Sequence, residues 1–137
     1  MRLCVIVMLA LLQSGGFGSA VLAEKFKLDG EILFYDTDSA PPGQDEINWQ
    51  DVETLVFLLR QQQQIEVLHL NSAGGLIEAA REMADIIIDF ELDTRVADEC
   101  ASACVTLYLA GESRQLDRDV RFGFQRISWD AASMEEC

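Results

Sequence analysis

The chain has one histidine, two prolines and two lysines among its 137 residues. It carries 10 basic against 24 acidic residues, a formal net charge of -14. So little positive charge argues against nucleic acid and anionic membrane surfaces, both of which attract basic patches. The acidic residues are scattered without calcium-loop spacing, so the acidity reads as a solvated exterior, and neither a metal nor a cofactor is expected. Long apolar runs are equally scarce. The one from Leu3 to Leu12 is shorter than the roughly 20 residues that span a bilayer.

That run follows Arg2 and leads through small residues to "VLA", with Val21 and Ala23 at the positions a signal peptidase reads. Residues 1–23 therefore read as a secretory signal peptide, cut after Ala23 or, alternatively, Ala20. A periplasmic or secreted chain with no membrane attachment after cleavage is the expectation, with residues 24–137 forming one domain. Cleavage at Ala23 removes Arg2 and no acid, taking the net charge from -14 to -15. Cys4 leaves with the leader, and Cys100, Cys104 and Cys137 remain. Outside the cytoplasm a disulfide is permitted, and three cysteines leave one over.

"KFKLDGEILFY" (Lys25–Tyr35) predicts a first strand, and the acidic "DTDSAPPGQDE", which holds both prolines, predicts a loop. In "NWQDVETLVFLLRQQQQ", Asn48 offers a cap and Asp51 stands three residues on. Val52, Leu55, Val56 and Leu59 then follow helical spacing. "IEVLHL" (Ile65–Leu70) is apolar and β-branched enough to predict a strand covered on both faces. Helices are predicted over Leu76–Phe90 and Ser102–Ala110, with strands at Asp93–Asp98, in "RQLD" and in "VRFGF". Alternating strands and helices argue for an α/β fold on a mainly parallel sheet.

In such folds sites gather where strands end and helices begin. At "HLNSAGGLIEAA", Gly74 and Gly75 leave backbone N–H groups beside a helix start. These suit either a tight structural turn or the stabilisation of an oxyanion. At "ECASAC", Ser102 opens an apolar helix, where it fits either a helix N-cap or a nucleophile favoured by the helix dipole.

With Ser102 following Gly75 by 27 positions, and "GFQ" beyond, this set of motifs resembles the Clp protease/crotonase superfamily, most closely the small secreted ClpP-like proteins of bacteria. The resemblance spans about Leu28 to Trp129. It implies stacked β-β-α units, Ser102 as nucleophile, and the backbone N–H groups of Gly75 and Ala103 as the oxyanion hole, with Gly74 in support. It also implies a Cys100–Cys104 disulfide bracing the serine turn, although two buried free thiols would fit the same spacing. Self-association is a further implication. Members of the superfamily continue with another helix and more sheet, so the "ASMEEC" ending marks a domain expected to be incomplete at its C-terminus.

One departure decides the expected activity. Relatives have histidine where this chain has Gln125, and glutamine cannot accept a proton near neutral pH. Asp130 is the nearest downstream carboxylate, and its spacing does not recommend it as the missing acid. No substitute base is evident. Arg126 is always protonated, and Lys25 and Lys27 both lie on the first strand. His69 lies six residues before Gly75, well below the strand's rim at about 3.3 Å per residue. It reads as a buried, hydrogen-bonded structural histidine. The expectation is a serine-hydrolase fold, inactive or impaired, that binds peptide or protein. The alternative is an active serine endopeptidase with an atypical or externally completed site. An acyl-CoA enzyme is disfavoured by export, since coenzyme A is cytoplasmic.

Overall fold

A computed structural model describes residues 25–124. The segment expected to be a leader, together with Gln125, Arg126, Asp130 and Cys137, lies outside the described residues. The first predicted strand is instead a hairpin, β1 (Phe26–Asp29) and β2 (Ile32–Asp36), paired antiparallel. Gly30, at φ +60°, makes the reversal that a continuous strand over Lys25–Tyr35 would have lacked. A short 3-10 turn at Thr37–Ser39 follows, and then α1 (Trp49–Gln61). The rest of the chain alternates: β3 (Val67–Ser72), α2 (Ile77–Asp89), β4 (Asp93–Ala101), α3 (Ala103–Leu109), β5 (Arg114–Leu116) and β6 (Arg121–Gly123).

The sheet runs β1-β2-β3-β4-β5, parallel from β2 onward, with β6 also paired parallel to β4. β4 serves two partners in sequence. Its lower half, Thr94 to Val96, pairs with β5, and its upper half, Glu99 to Ala101, pairs with β6. Between them the register against β3 shifts, so that Leu70 faces Val96 but Ser72 faces Cys100. The extra residues re-aim the end of β4, as a bulge does.

The helices cover one face of the sheet. Leu33, Tyr35, Leu68, Leu70, Thr94 and Val96 are buried there, while the alternate residues Phe34, His69 and Arg95 stay half-exposed. β3 was expected to be covered on both faces, and it is covered on one. Its apolar look arises because Val67, half-exposed beside buried Leu68, lies on the open face together with His69.

His69 departs from expectation for the same reason. It is half-exposed on the open face, stacked on Phe34 with ring centroids 4.8 Å apart, and no hydrogen bond to its side chain occurs among the described residues. Partial burial, and then the Arg95 guanidinium on the paired strand, lower its pKa below the usual 6.5. The folded state therefore resists protonation that the unfolded chain accepts. The resulting stabilisation is present above about pH 6.5 and is lost as pH falls through the lowered folded value. The His69 imidazole should titrate below 6.5 in an NMR titration. His69→Gln should flatten the stability profile over that window, and a midpoint at or above 6.5 would refute the argument.

Candidate functional site

Both predicted junctions form at the C-terminal ends of adjacent parallel strands, β3 and β4, and they touch. A Cβ added to Gly74 would lie 2.8 Å from the Ser102 Cβ and 3.2 Å from the Ala103 nitrogen. Gly74 takes φ +116°, so glycine is required both by the close approach and by the backbone.

Three successive amides show how the turn is held. The Gly74 N–H donates to Ser72 Oγ at 3.1 Å. The Leu76 N–H donates to the Ile47 carbonyl at 2.9 Å, and the Ile47 N–H donates to the Gly74 carbonyl, also at 2.9 Å. Between them, the Gly75 N–H has no acceptor among the described residues. The Gly74–Gly75 peptide is trans, so its N–H points opposite to a carbonyl already committed to Ile47. Ile47 is thus the residue that aims this donor, through an isolated parallel bridge to Gly75. Its backbone bonds leave no trace in sequence periodicity.

Ser102 does not cap α3. It stands at φ 53°, ψ -124°, with no side-chain hydrogen bond to the helix. Its own N–H donates to the Gly123 carbonyl at 3.0 Å, tying the turn to β6. A serine used only as a cap would adopt extended backbone and bond N2 or N3. A non-glycine residue in this region of backbone space costs about 1–3 kcal/mol and persists only where its surroundings enforce it. The Ala103 N–H at the start of α3 also has no acceptor among the described residues. Ser102 itself is half-exposed.

Cys100 and Cys104 flank this turn, fully buried and bonded, with Cα atoms 5.3 Å apart. That separation falls within the roughly 4.4–6.8 Å a disulfide requires. Closing so short a loop stabilises by about 2 kcal/mol in the chain-entropy treatment. Reduction followed by alkylation should add two labels that are absent from the unreduced protein at these positions. A Cys100→Ala/Cys104→Ala variant should lose about 2 kcal/mol of stability in a urea titration. Two alkylated thiols before reduction would refute the bridge.

Asn71 and Ser72 were visible only as part of a turn motif, and each has a distinct role. The Asn71 side chain donates to Asp36 Oδ1 at 2.9 Å and accepts the Glu99 N–H at 3.2 Å, binding the end of β2 to the shifted segment of β4. Ser72 holds Gly74, as above. Gln125, the residue expected at the base position, lies outside the described residues. Lys25 is committed elsewhere: it is buried and paired with Asp51 at 2.9 Å. A cleft of about 630 Å³ opens beside His69, Phe34, Asn71 and Asp98 on the uncovered sheet face, and Ser102 is not among its lining residues. Among the described residues no helix is long and apolar enough to cross a membrane, and no cluster of three His, Cys, Asp or Glu is placed to hold a metal.

A mainly parallel sheet with two glycine- and serine-bearing junctions side by side is a ClpP/crotonase-like α/β fold. Among solved structures, the chain is similar to a point mutant of ClpP1 from Listeria monocytogenes, with 25% identity and a TM-score of 0.52 over 66% of this chain and 58% of that one. It is also similar to a putative enoyl-CoA hydratase from Streptomyces avermitilis, with 11% identity and a TM-score of 0.48 over 74% of this chain and 48% of that one. The chain thus spans little more than half the length of the first and about half of the second. No family model matches it, and no curated protein does.

Proposed function

We propose that this chain is an exported protein with a ClpP-type serine-hydrolase site at Ser102, in which Gln125 replaces the general base, so that it binds peptide or protein in place of rapid cleavage. The observation that carries this reading is Ser102 itself. It is held at positive φ with its side chain free of any capping bond and packed against the Gly74 turn. In this reading Ser102 is the nucleophile, and the N–H groups of Gly75 and Ala103 receive the oxyanion. The Gly75 donor, which has no acceptor among the described residues, and the ClpP-like fold support these roles. An oxyanion donor acts where charge develops and needs no base, so a site lacking histidine retains binding and loses turnover. Residues 1–23 act as the leader, and the buried cysteine pair accords with an oxidising compartment. Partners are peptides or proteins and further copies of the chain, not nucleic acid.

A fluorophosphonate serine probe tests the reading. Wild-type protein should label weakly or not at all, Gln125→His should label, and adding Ser102→Ala to that variant should abolish the signal. Rapid labelling of wild type that Ser102→Ala removes would overturn the inactive reading and establish an active hydrolase. Absence of labelling in Gln125→His would overturn Gln125 as the altered base position.

A further inference from the structure

We infer that Thr37 and Ser72 are positioning residues for the Gly75 N–H; this deepens the reading of Ser102 as nucleophile and rests on it. Both side chains are completely buried. The Thr37 hydroxyl, from the 3-10 turn after β2, donates to Ser72 Oγ at 3.0 Å. The Gly74 N–H donates to the same oxygen at 3.1 Å. With both lone pairs of that oxygen used, the Ser72 proton is directed to its remaining neighbour, the Gly74 carbonyl oxygen at 3.5 Å.

A Thr–Ser pair is a costly way to fill a core, because two apolar side chains of similar shape would hold it about as well. The polar pair does something an apolar pair cannot, which is to fix the peptide orientation at Gly74. Gly74 and Gly75, at φ +116° and +151°, are adjacent residues with the greatest conformational freedom available to a chain. The donor between them is aimed only if both ends of the turn are pinned. Ile47 pins the far end through two backbone bonds, and Ser72 pins the near end through one side-chain oxygen. Thr37 holds that oxygen in place and so couples the turn to the end of β2.

The test uses Thr37→Val, which keeps the shape and removes the donor, Thr37→Ser, which restores it, and Ser72→Ala. In 15N-labelled protein, Thr37→Val and Ser72→Ala should shift or double the Gly74 and Gly75 amide resonances, and Thr37→Ser should return them toward wild type. In the Gln125→His background, Thr37→Val should slow fluorophosphonate labelling of Ser102 by about tenfold, a fraction of the effect of losing an oxyanion donor. Thr37→Ser should rescue the rate. Unmoved Gly75 resonances in Thr37→Val overturn the inference. So does a moved resonance with unchanged labelling, which would make the pair purely structural. If no variant labels, the reading of Gln125 as the altered base position fails by itself, and the Gly75 resonance alone decides whether the pair aims the donor.

Discussion

Replacing Asp51 by alanine is expected to lower the unfolding free energy by roughly 3–5 kcal/mol, the cost of leaving a buried charge without its partner. One carboxylate oxygen of Asp51 meets Lys25 Nζ at 2.9 Å, the Tyr35 hydroxyl at 2.8 Å and the Asn48 N–H at 3.0 Å. Lys25 and Asp51 side chains are only 8% and 5% exposed, so solvent cannot replace what the mutation removes. Burial, and then the carboxylate, push the Tyr35 hydroxyl far above its ordinary pKa, so it stays a proton donor. Asp51 also completes the capping box of α1 with Asn48, so its loss frays the helix start too. Urea titration measures the effect. A change under about 1 kcal/mol would show that the cluster is solvated and the argument wrong. A Lys25→Met/Asp51→Leu pair should recover only the part of the loss that comes from the unpaired ion, because the Tyr35 hydroxyl and the Asn48 N–H still lack their acceptor.

Gly75→Ala is expected to be nearly as damaging to stability and more damaging to the site. A Cβ there would overlap the backbone of Ile47. The clash pushes apart the Ile47 bridge that orients the Gly74–Gly75 peptide, and φ +151° adds strain for any L-residue. Labelling of Ser102 in the Gln125→His background should fall by about a hundredfold or more, the scale of losing an oxyanion donor. Gly43 supplies the control. It also has positive φ, at +88°, but a Cβ there meets nothing within 4 Å. Gly43→Ala should therefore cost about 1 kcal/mol and leave labelling unchanged. Equal behaviour of the two variants would show that backbone strain, not contact with Ile47, governs Gly75.

The α/β class, the helices over residues 49–61 and 77–89, the capping box and the two strand-to-helix junctions were all legible in the order of residues. Helical periodicity, turn glycines and cap residues are local signals that act over one or two turns of chain. Gly74, Gly75 and Ser102 could be singled out for the same reason, since each stands where a strand must become a helix. Their meaning could not be decided there. Ser102 as a helix cap and Ser102 as a strained, uncapped residue share one sequence. The hairpin at Gly30, the one-sided sheet and the half-exposed His69 likewise depend on which surfaces meet, and local pattern does not encode that.

What the sequence determined by itself, then, was the set of elements and the residues at their joints, because propensity and periodicity are properties of short segments. Tertiary structure decided which joints touch. Parallel pairing of β3 with β4 sets Gly74 against Ser102, the chain at Ile47 fixes the Gly74–Gly75 peptide, and Thr37 arrives from the end of β2 to hold Ser72. These contacts join residues from 28 to 35 positions apart. They form through backbone bonds and buried hydroxyls, which only the closed sheet brings within reach.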